Sequence, residues 1–159
     1  MKKTALISFI ILLIVSLCSC GGEQAKEVSG DVCYVTIDCH NALSAASLSP
    51  DKKELQPEDG IILNKAAVPV TEGMTAMDAF EKACKDAKLQ FEYGTFSSMK
   101  YVDGVNNLYS KDCGDLSGWF FFYNGESPSV GMENLKVEKD AQILIIYSCD
   151  MGADAGATM

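Results

Sequence analysis

The chain has 159 residues, 48% of them hydrophobic and 22% charged, with a formal charge of −9. This composition suits one globular domain behind a leader and excludes a disordered chain. The acidic balance excludes a nucleic-acid surface, which needs a basic face against phosphate, and reads first as solubility.

Met1-Lys2-Lys3 is a short positive start, and Ala5 to Leu17 is an apolar run of 13 residues. That run is too short to span a bilayer comfortably. It ends in Leu17-Cys18-Ser19-Cys20-Gly21-Gly22, which resembles the bacterial lipobox. Leu17 stands three before the acceptor, small Ser19 directly before it, and Cys20 receives the lipid. Residues 1–19 therefore read as a lipoprotein signal peptide. Acyl chains on Cys20 would hold the protein at a membrane surface by burial of their CH₂ groups. The expected location is exported and lipid-anchored at a bacterial membrane surface. Loss of Lys2 and Lys3 with the leader leaves a charge of −11. Residues 20–30 are polar and contain glycine, as a tether does.

Val32 to Asp38 is β-branched and aromatic, a first strand. Asn41 to Glu58 reads as a loop with at most one helical turn. Gly60 to Asn64 and Ala67 to Val70 form the next strand region, and Pro69 places it at an edge or a strand end. Thr75 is an N-cap with Asp78 at the third helical position. Ala76, Phe80, Ala83 and Ala87, with Met77 and Cys84 beside them, make an apolar stripe through to Lys88. Leu89 to Tyr93 alternates like a half-exposed strand, and Met99 to Val102 is another, closed by a turn at Asp103-Gly104. Asn106 to Tyr109 leads through polar residues into Gly118-Trp119-Phe120-Phe121-Phe122-Tyr123. Flat aromatics favour a strand here, and Asn124-Gly125 supplies the positive φ of a tight turn. After the irregular stretch Pro128 to Glu138, Ala141 to Tyr147 has the continuous apolar character of a central strand. The domain spans 31–152, and 153–159 is a flexible tail. The expected fold is α+β, β-grasp-like, with one helix packed on a mixed sheet of five to six strands.

Besides Cys20, export leaves Cys33, Cys39, Cys84, Cys113 and Cys149 as disulfide candidates, and an odd number leaves one over. Cys84 falls on the apolar face of the helix, as a small buried hydrophobe. Cys33 and Cys39 share a strand face about 20 Å apart, too far to bridge. A disulfide among Cys39, Cys113 and Cys149 is one reading; free thiols in an anaerobe is the other. A metal site of those thiols with His40 lacks any C-x₂-C spacing, so no metal is expected.

Four blocks carry a family resemblance. They are Val70-Thr71-Glu72-Gly73-Met74-Thr75-Ala76-Met77-Asp78-Ala79-Phe80, Tyr101-Val102-Asp103-Gly104-Val105-Asn106-Asn107, Cys113 to Gly125, and Ile146-Tyr147-Ser148-Cys149-Asp150-Met151-Gly152. Together they resemble a bacterial domain of unknown function similar to the C-terminal β-domain of transcobalamin and intrinsic factor, over Val32 to Gly152. Departures are Lys139-Asp140, where the family usually has Gly-Asp, and Phe121-Phe122, where smaller or more polar residues are common. In the animal carriers this domain closes over the corrin against a helical barrel, of which this sequence carries no sign. The resemblance therefore implies a binding module more strongly than it implies cobalamin.

The expected function is a non-catalytic, surface-anchored binding lipoprotein. It would capture a small molecule, cobalamin or another tetrapyrrole among the candidates, and hand it to a membrane importer. The ligand-binding candidates are Tyr101, Tyr109, Trp119, Tyr123, Asn124 and Gly125, because aromatic rings stack on flat ligands at small entropic cost. The alternative is a structural or adhesive module that presents an aromatic sheet face to a protein or glycan. An enzyme is not expected. His40, the single histidine, has no nucleophile spacing near it, and phosphate-loop, His-Glu-x-x-His and Gly-x-Ser-x-Gly motifs are absent. No cofactor is called for.

Overall fold

A computed structural model of the chain describes residues 30–156. The expected signal peptide, Cys20, all of the tether but Gly30, and the last three residues of the tail lie outside the described residues.

The elements run β1 (Val32–Asp38), α1 (His40–Ser44), α2 (Pro50–Glu54), β2 (Ile61–Pro69), α3 (Ala76–Asp86), β3 (Phe91–Phe96), β4 (Met99–Val105), β5 (Leu108–Tyr109), β6 (Gly118–Tyr123) and β7 (Gln142–Ser148), with a 3₁₀ turn at Ala153–Ala155. Four strands form one sheet in the order β2-β1-β7-β6, and three form a second in the order β3-β4-β5. The central pair β1–β7 is parallel, with Tyr34 opposite Gln142. The flanking pairs are antiparallel.

The large sheet is built by alternation. Cys33, Val35 and Ile37 of β1, and Ile143, Ile145 and Tyr147 of β7, turn to one face and are buried in a single cluster with Ala76, Phe80 and Cys84 of α3. The helix forms where its cap and its stripe agree. Thr75 Oγ1 accepts from Asp78 N at 3.1 Å, and the Asp78 carboxylate accepts from Thr75 N at 2.9 Å. This reciprocal capping box satisfies two of the helix's unpaired N–H groups.

Several expectations are corrected. The single helix on one sheet of five or six strands becomes two sheets, three short-to-medium helices and a 3₁₀ turn. The sheets separate because the inward aromatics of β3 find α3 and not a sheet edge. Phe91 meets Phe80 edge-on at 5.5 Å and Tyr93 at 5.6 Å. The 41–58 loop holds α1 and α2. Asp103-Gly104 is no turn: it lies inside β4, and Gly104 leaves room for the Tyr109 ring, which an ideal Cβ would meet at 2.5 Å. The reversal falls at Asn106-Asn107, whose φ values are 49° and 63°. Of the expected tail, Ala153–Ala155 form the 3₁₀ turn. The Asp154 carboxylate holds Ser148 Oγ and, at 2.9 Å, Cys149 N. Pro69 does end an edge strand, and β7 is central.

Candidate functional site

A groove of about 410 Å³ opens between the outer edge of β6, the β3–β4 hairpin and the loop 128–132. Its lining is mainly apolar, with Phe96, Met99, Tyr101, Trp119, Phe121, Val130 and Met132 among its residues beside Lys100 and Ser129.

Each wall has a local cause. Ser97 and Ser98 take φ values of 48° and 73°, the paired positive angles of a two-residue I′ turn. That turn sets Phe96 opposite Met99 at the hairpin tip, where they are 71% and 53% exposed. Two large apolar side chains so placed mark a contact surface. Tyr101 lies across Gly94, where an ideal Cβ would sit 2.2 Å from its ring; glycine is what makes room.

On the opposite wall Trp119 is anchored twice. Its Nε1–H donates to the Leu108 carbonyl at 3.0 Å, and its ring meets Tyr147 edge-on at 5.1 Å. Trp119, Phe121 and Tyr123 turn to the core face of β6, so Phe120 and Phe122 take the other. The Asn124-Gly125 turn, with φ values of 52° and 84°, then folds the chain back along the outside of β6. Tyr123 N donates to Glu126 O at 2.8 Å, and Tyr123 O accepts from Glu126 N at 3.1 Å. Pro128 has no N–H with which to continue that pairing. The chain diverges there, and the divergence opens the groove.

Of the residues singled out by sequence, the structure brings together Tyr101 and Trp119. The other four lie outside the groove. The Tyr109 hydroxyl donates to Glu92 at 2.7 Å and accepts from Gln90 at 2.9 Å, with the Lys52 ammonium 5.1 Å from its ring centre. The bond to the Glu92 carboxylate raises its hydroxyl above the ordinary tyrosine value. The Tyr123 hydroxyl accepts from Glu138 N at 3.0 Å. Asn124 Oδ1 accepts from Gln142 N at 2.8 Å, and Gly125 serves the turn. Sequence reasoning missed Phe96, Met99, Val130 and Met132. The Ser-Ser pair between Phe96 and Met99 lacks the usual Gly or Asn of a hairpin turn, and Val130 and Met132 sit in a stretch without periodicity.

The thiols form a second neighbourhood. Cys113 N donates to Ser117 Oγ at 3.0 Å. Gly118 pairs with Ser148, so Ser117 and the residue that closes onto it stand beside Cys149. Burial raises the Cys113 and Cys149 thiols first, each then shifts the other, and Cys39 feels the charge of Cys113. All five described cysteines are free thiols. Burial pushes Cys39, Cys84 and Cys149 up to about 12. Such thiols stay protonated and unreactive at neutral pH. Cys33 and Cys39 are both fully buried. His40 is exposed and bonds Asp38 through Nδ1 at 2.6 Å. Among the described residues no group of three or more His, Cys, Asp or Glu side chains is placed to hold a metal ion. Nor is any described helix long and apolar enough to cross a membrane.

Against known proteins, residues 73–148 match the family described as a domain of unknown function, DUF4430. The match covers 76 of the chain's 159 residues. The matched stretch begins just before α3 and ends with β7, so it contains every strand that lines the groove. Among solved structures, haptocorrin in complex with Cbi resembles the fold with a TM-score of 0.50 at 16% identity. That alignment covers 74% of this chain and 25% of haptocorrin, so the chain spans about a quarter of that protein's length. The likeness is one of fold, and it agrees with a DUF4430 domain similar to the C-terminal domain of the transcobalamin group. A second structure, "a putative metal binding protein from Ruminococcus gnavus ATCC 29149", aligns over 74% of this chain and 96% of its own at 12% identity and a TM-score of 0.47. No curated protein matches the sequence.

Proposed function

We propose that the protein is a non-catalytic binding lipoprotein, held at a membrane surface through acylated Cys20, whose groove beside Trp119 receives the ligand. The observation that carries this reading is the groove itself. It is concave, close to 410 Å³, within the range of ligand pockets, and walled by aromatic and thioether side chains. Supporting it, haptocorrin is a structure in complex with Cbi and shares the fold.

A flat, largely apolar ligand suits these walls, with cobalamin or another tetrapyrrole as the first candidate. The volume accommodates one edge of such a macrocycle and leaves the remainder for a partner, such as the importer to which the ligand would be passed. Trp119 is the only tryptophan in the chain, which makes its emission a direct reporter. Titration with cobalamin, haem and related tetrapyrroles should quench or shift that emission at tens of micromolar, about 6 kcal/mol of affinity. Silence toward all of them, with no thermal shift, removes the tetrapyrrole version. The adhesive reading is favoured by a separate observation, the exposure of Phe96, Met99 and Val130 at the rim. It predicts retention of the protein on a protein- or glycan-coated surface, abolished by Phe96→Ser.

A further inference from the structure

The wall of the groove is a strand edge, and its main chain is open. Asn124 N donates to Gln142 O at 2.8 Å, and the pairing continues as Phe122 with Leu144, Phe120 with Ile146 and Gly118 with Ser148. Backbone direction alternates along an antiparallel strand. The even-numbered residues of β6 therefore face β7, and Ser117, Trp119, Phe121 and Tyr123 face outward. At the two ends that outer row is occupied: Ser117 O accepts from Lys111 N at 3.0 Å, and Tyr123 exchanges bonds with Glu126. Between them, β6 is terminal in its sheet. No main-chain bond from a described turn or loop reaches Trp119 or Phe121. Two N–H and two C=O groups at a two-residue repeat thus look into an apolar groove.

From this juxtaposition we infer that the groove recognises an extended peptide segment of another protein, which adds to β6 as a fifth strand of the large sheet. A flat ring has no row of alternating donors and acceptors with which to meet Trp119 and Phe121, whereas an extended main chain repeats them at this spacing. The apolar walls select for alternate aliphatic side chains on the incoming strand. The chain's formal charge of −9 favours lysine or arginine at the flanks of that segment. Pro128 is what keeps the protein's own chain from filling the place: it stops the inward pairing begun at Glu126 and leaves the edge vacant for a partner. The inference rests on the reading of the groove as a binding site and replaces the flat ligand considered there with an extended peptide.

The test uses the full chain and a heptapeptide, acetyl-KVTVTVK-amide, followed by Trp119 emission and by amide exchange. Binding should protect the Trp119 and Phe121 amides. A copy of the peptide N-methylated at alternate residues should bind at least ten-fold more weakly. Phe121→Pro removes one edge donor without touching the β7 ladder and should weaken the unmodified peptide by a similar factor, once circular dichroism shows that the sheet is kept. If that variant fails to fold, the N-methylated peptide decides alone. Equal affinity for the two peptides overturns the inference. So does binding of a tetrapyrrole but not of the peptide, an outcome that leaves the groove reading standing. Failure of every ligand removes both. A concentration-dependent dimer that protects the same amides overturns it in favour of a second copy of this chain.

Discussion

At the scale of single residues, Trp119 does two jobs that a substitution can separate. Its ring fills the space beside Tyr147, and its Nε1–H satisfies the Leu108 carbonyl. Trp119→Phe keeps most of the apolar contact but leaves that buried carbonyl without its donor, a cost of about 1–3 kcal/mol. Denaturant midpoints measure it, and an unchanged midpoint would show that the bond contributes nothing. Gly60 is constrained by its backbone. Its φ is 75°, and an ideal Cβ there would stand 2.6 Å from His40 Cα. Gly60→Ala should cost about 2 kcal/mol or more from the left-handed backbone and the clash together. The same chain melt reads it. A neutral effect would mean that the turn before β2 shifts freely.

Among the elements, α3 was the most legible in sequence because three signals coincide in it: a Thr75 cap, an Asp78 partner and an uninterrupted apolar stripe. Thr75→Ala should destabilise the protein by about 1 kcal/mol. The hydrogen bonds from Thr75 hold the Asp78 carboxyl below its ordinary value. A lowered folded value means stability that is complete above about pH 4 and lost as acid protonates the folded carboxyl. Asp78→Asn should therefore narrow its stability gap to the parent as the pH is taken below 4, and a constant gap would refute the linkage. The β7 core strand was legible too, from its continuous apolar run. The groove was not, for reasons that lie in its elements. Ser97-Ser98 makes a tight turn from residues that rarely signal one. Gly104 signals a turn and instead yields space to Tyr109. Val130 and Met132 reach the site through chain divergence after Pro128, which no periodicity records. Of six residues singled out for the ligand, Tyr101 and Trp119 meet there because they lie on facing strands. Asn124 and Gly125 were conspicuous for turn chemistry and are used for it.

The cysteines belong to this scale as well, since Cys113 precedes the turn into β6 and Cys149 follows β7. Under a thiol-specific oxidant at pH 8, the bridge expected first joins Cys113 to Cys149, because each thiol lies within the other's electrostatic influence. Non-reducing peptide mapping would identify it. A bridge through Cys33 or Cys84 instead would show that the buried cysteines exchange places. Burial keeps these thiols protonated, so the reaction should be slow at pH 7 and accelerate with pH.

For the whole molecule, the two sheets meet across α3 and β6, and the groove exists because they do not merge. Its strands all fall within the matched 73–148 stretch, whereas β1 and β2, which carry the far side of the core, precede it. The sheet order has a consequence for how the protein comes into being. β7 is the last of the described strands, yet it is the one that joins β1 to β6. Until residues 142–148 have left the ribosome, β1 has no parallel neighbour and the Trp119 strand lacks its one partner strand in the sheet. Assembly can pair β1 with β2 early. It must close a loop between the two ends of the domain before the four-stranded sheet is complete, which favours slow folding. A chain stopped after Lys139 lacks the strand that joins β1 to β6 and should show no cooperative melt, with a strand signature by circular dichroism weaker than the full chain's. Synthesis therefore holds the large sheet back to β7: a product that stops short of it can pair β1 with β2 and β3 with β4 but cannot join β1 to β6.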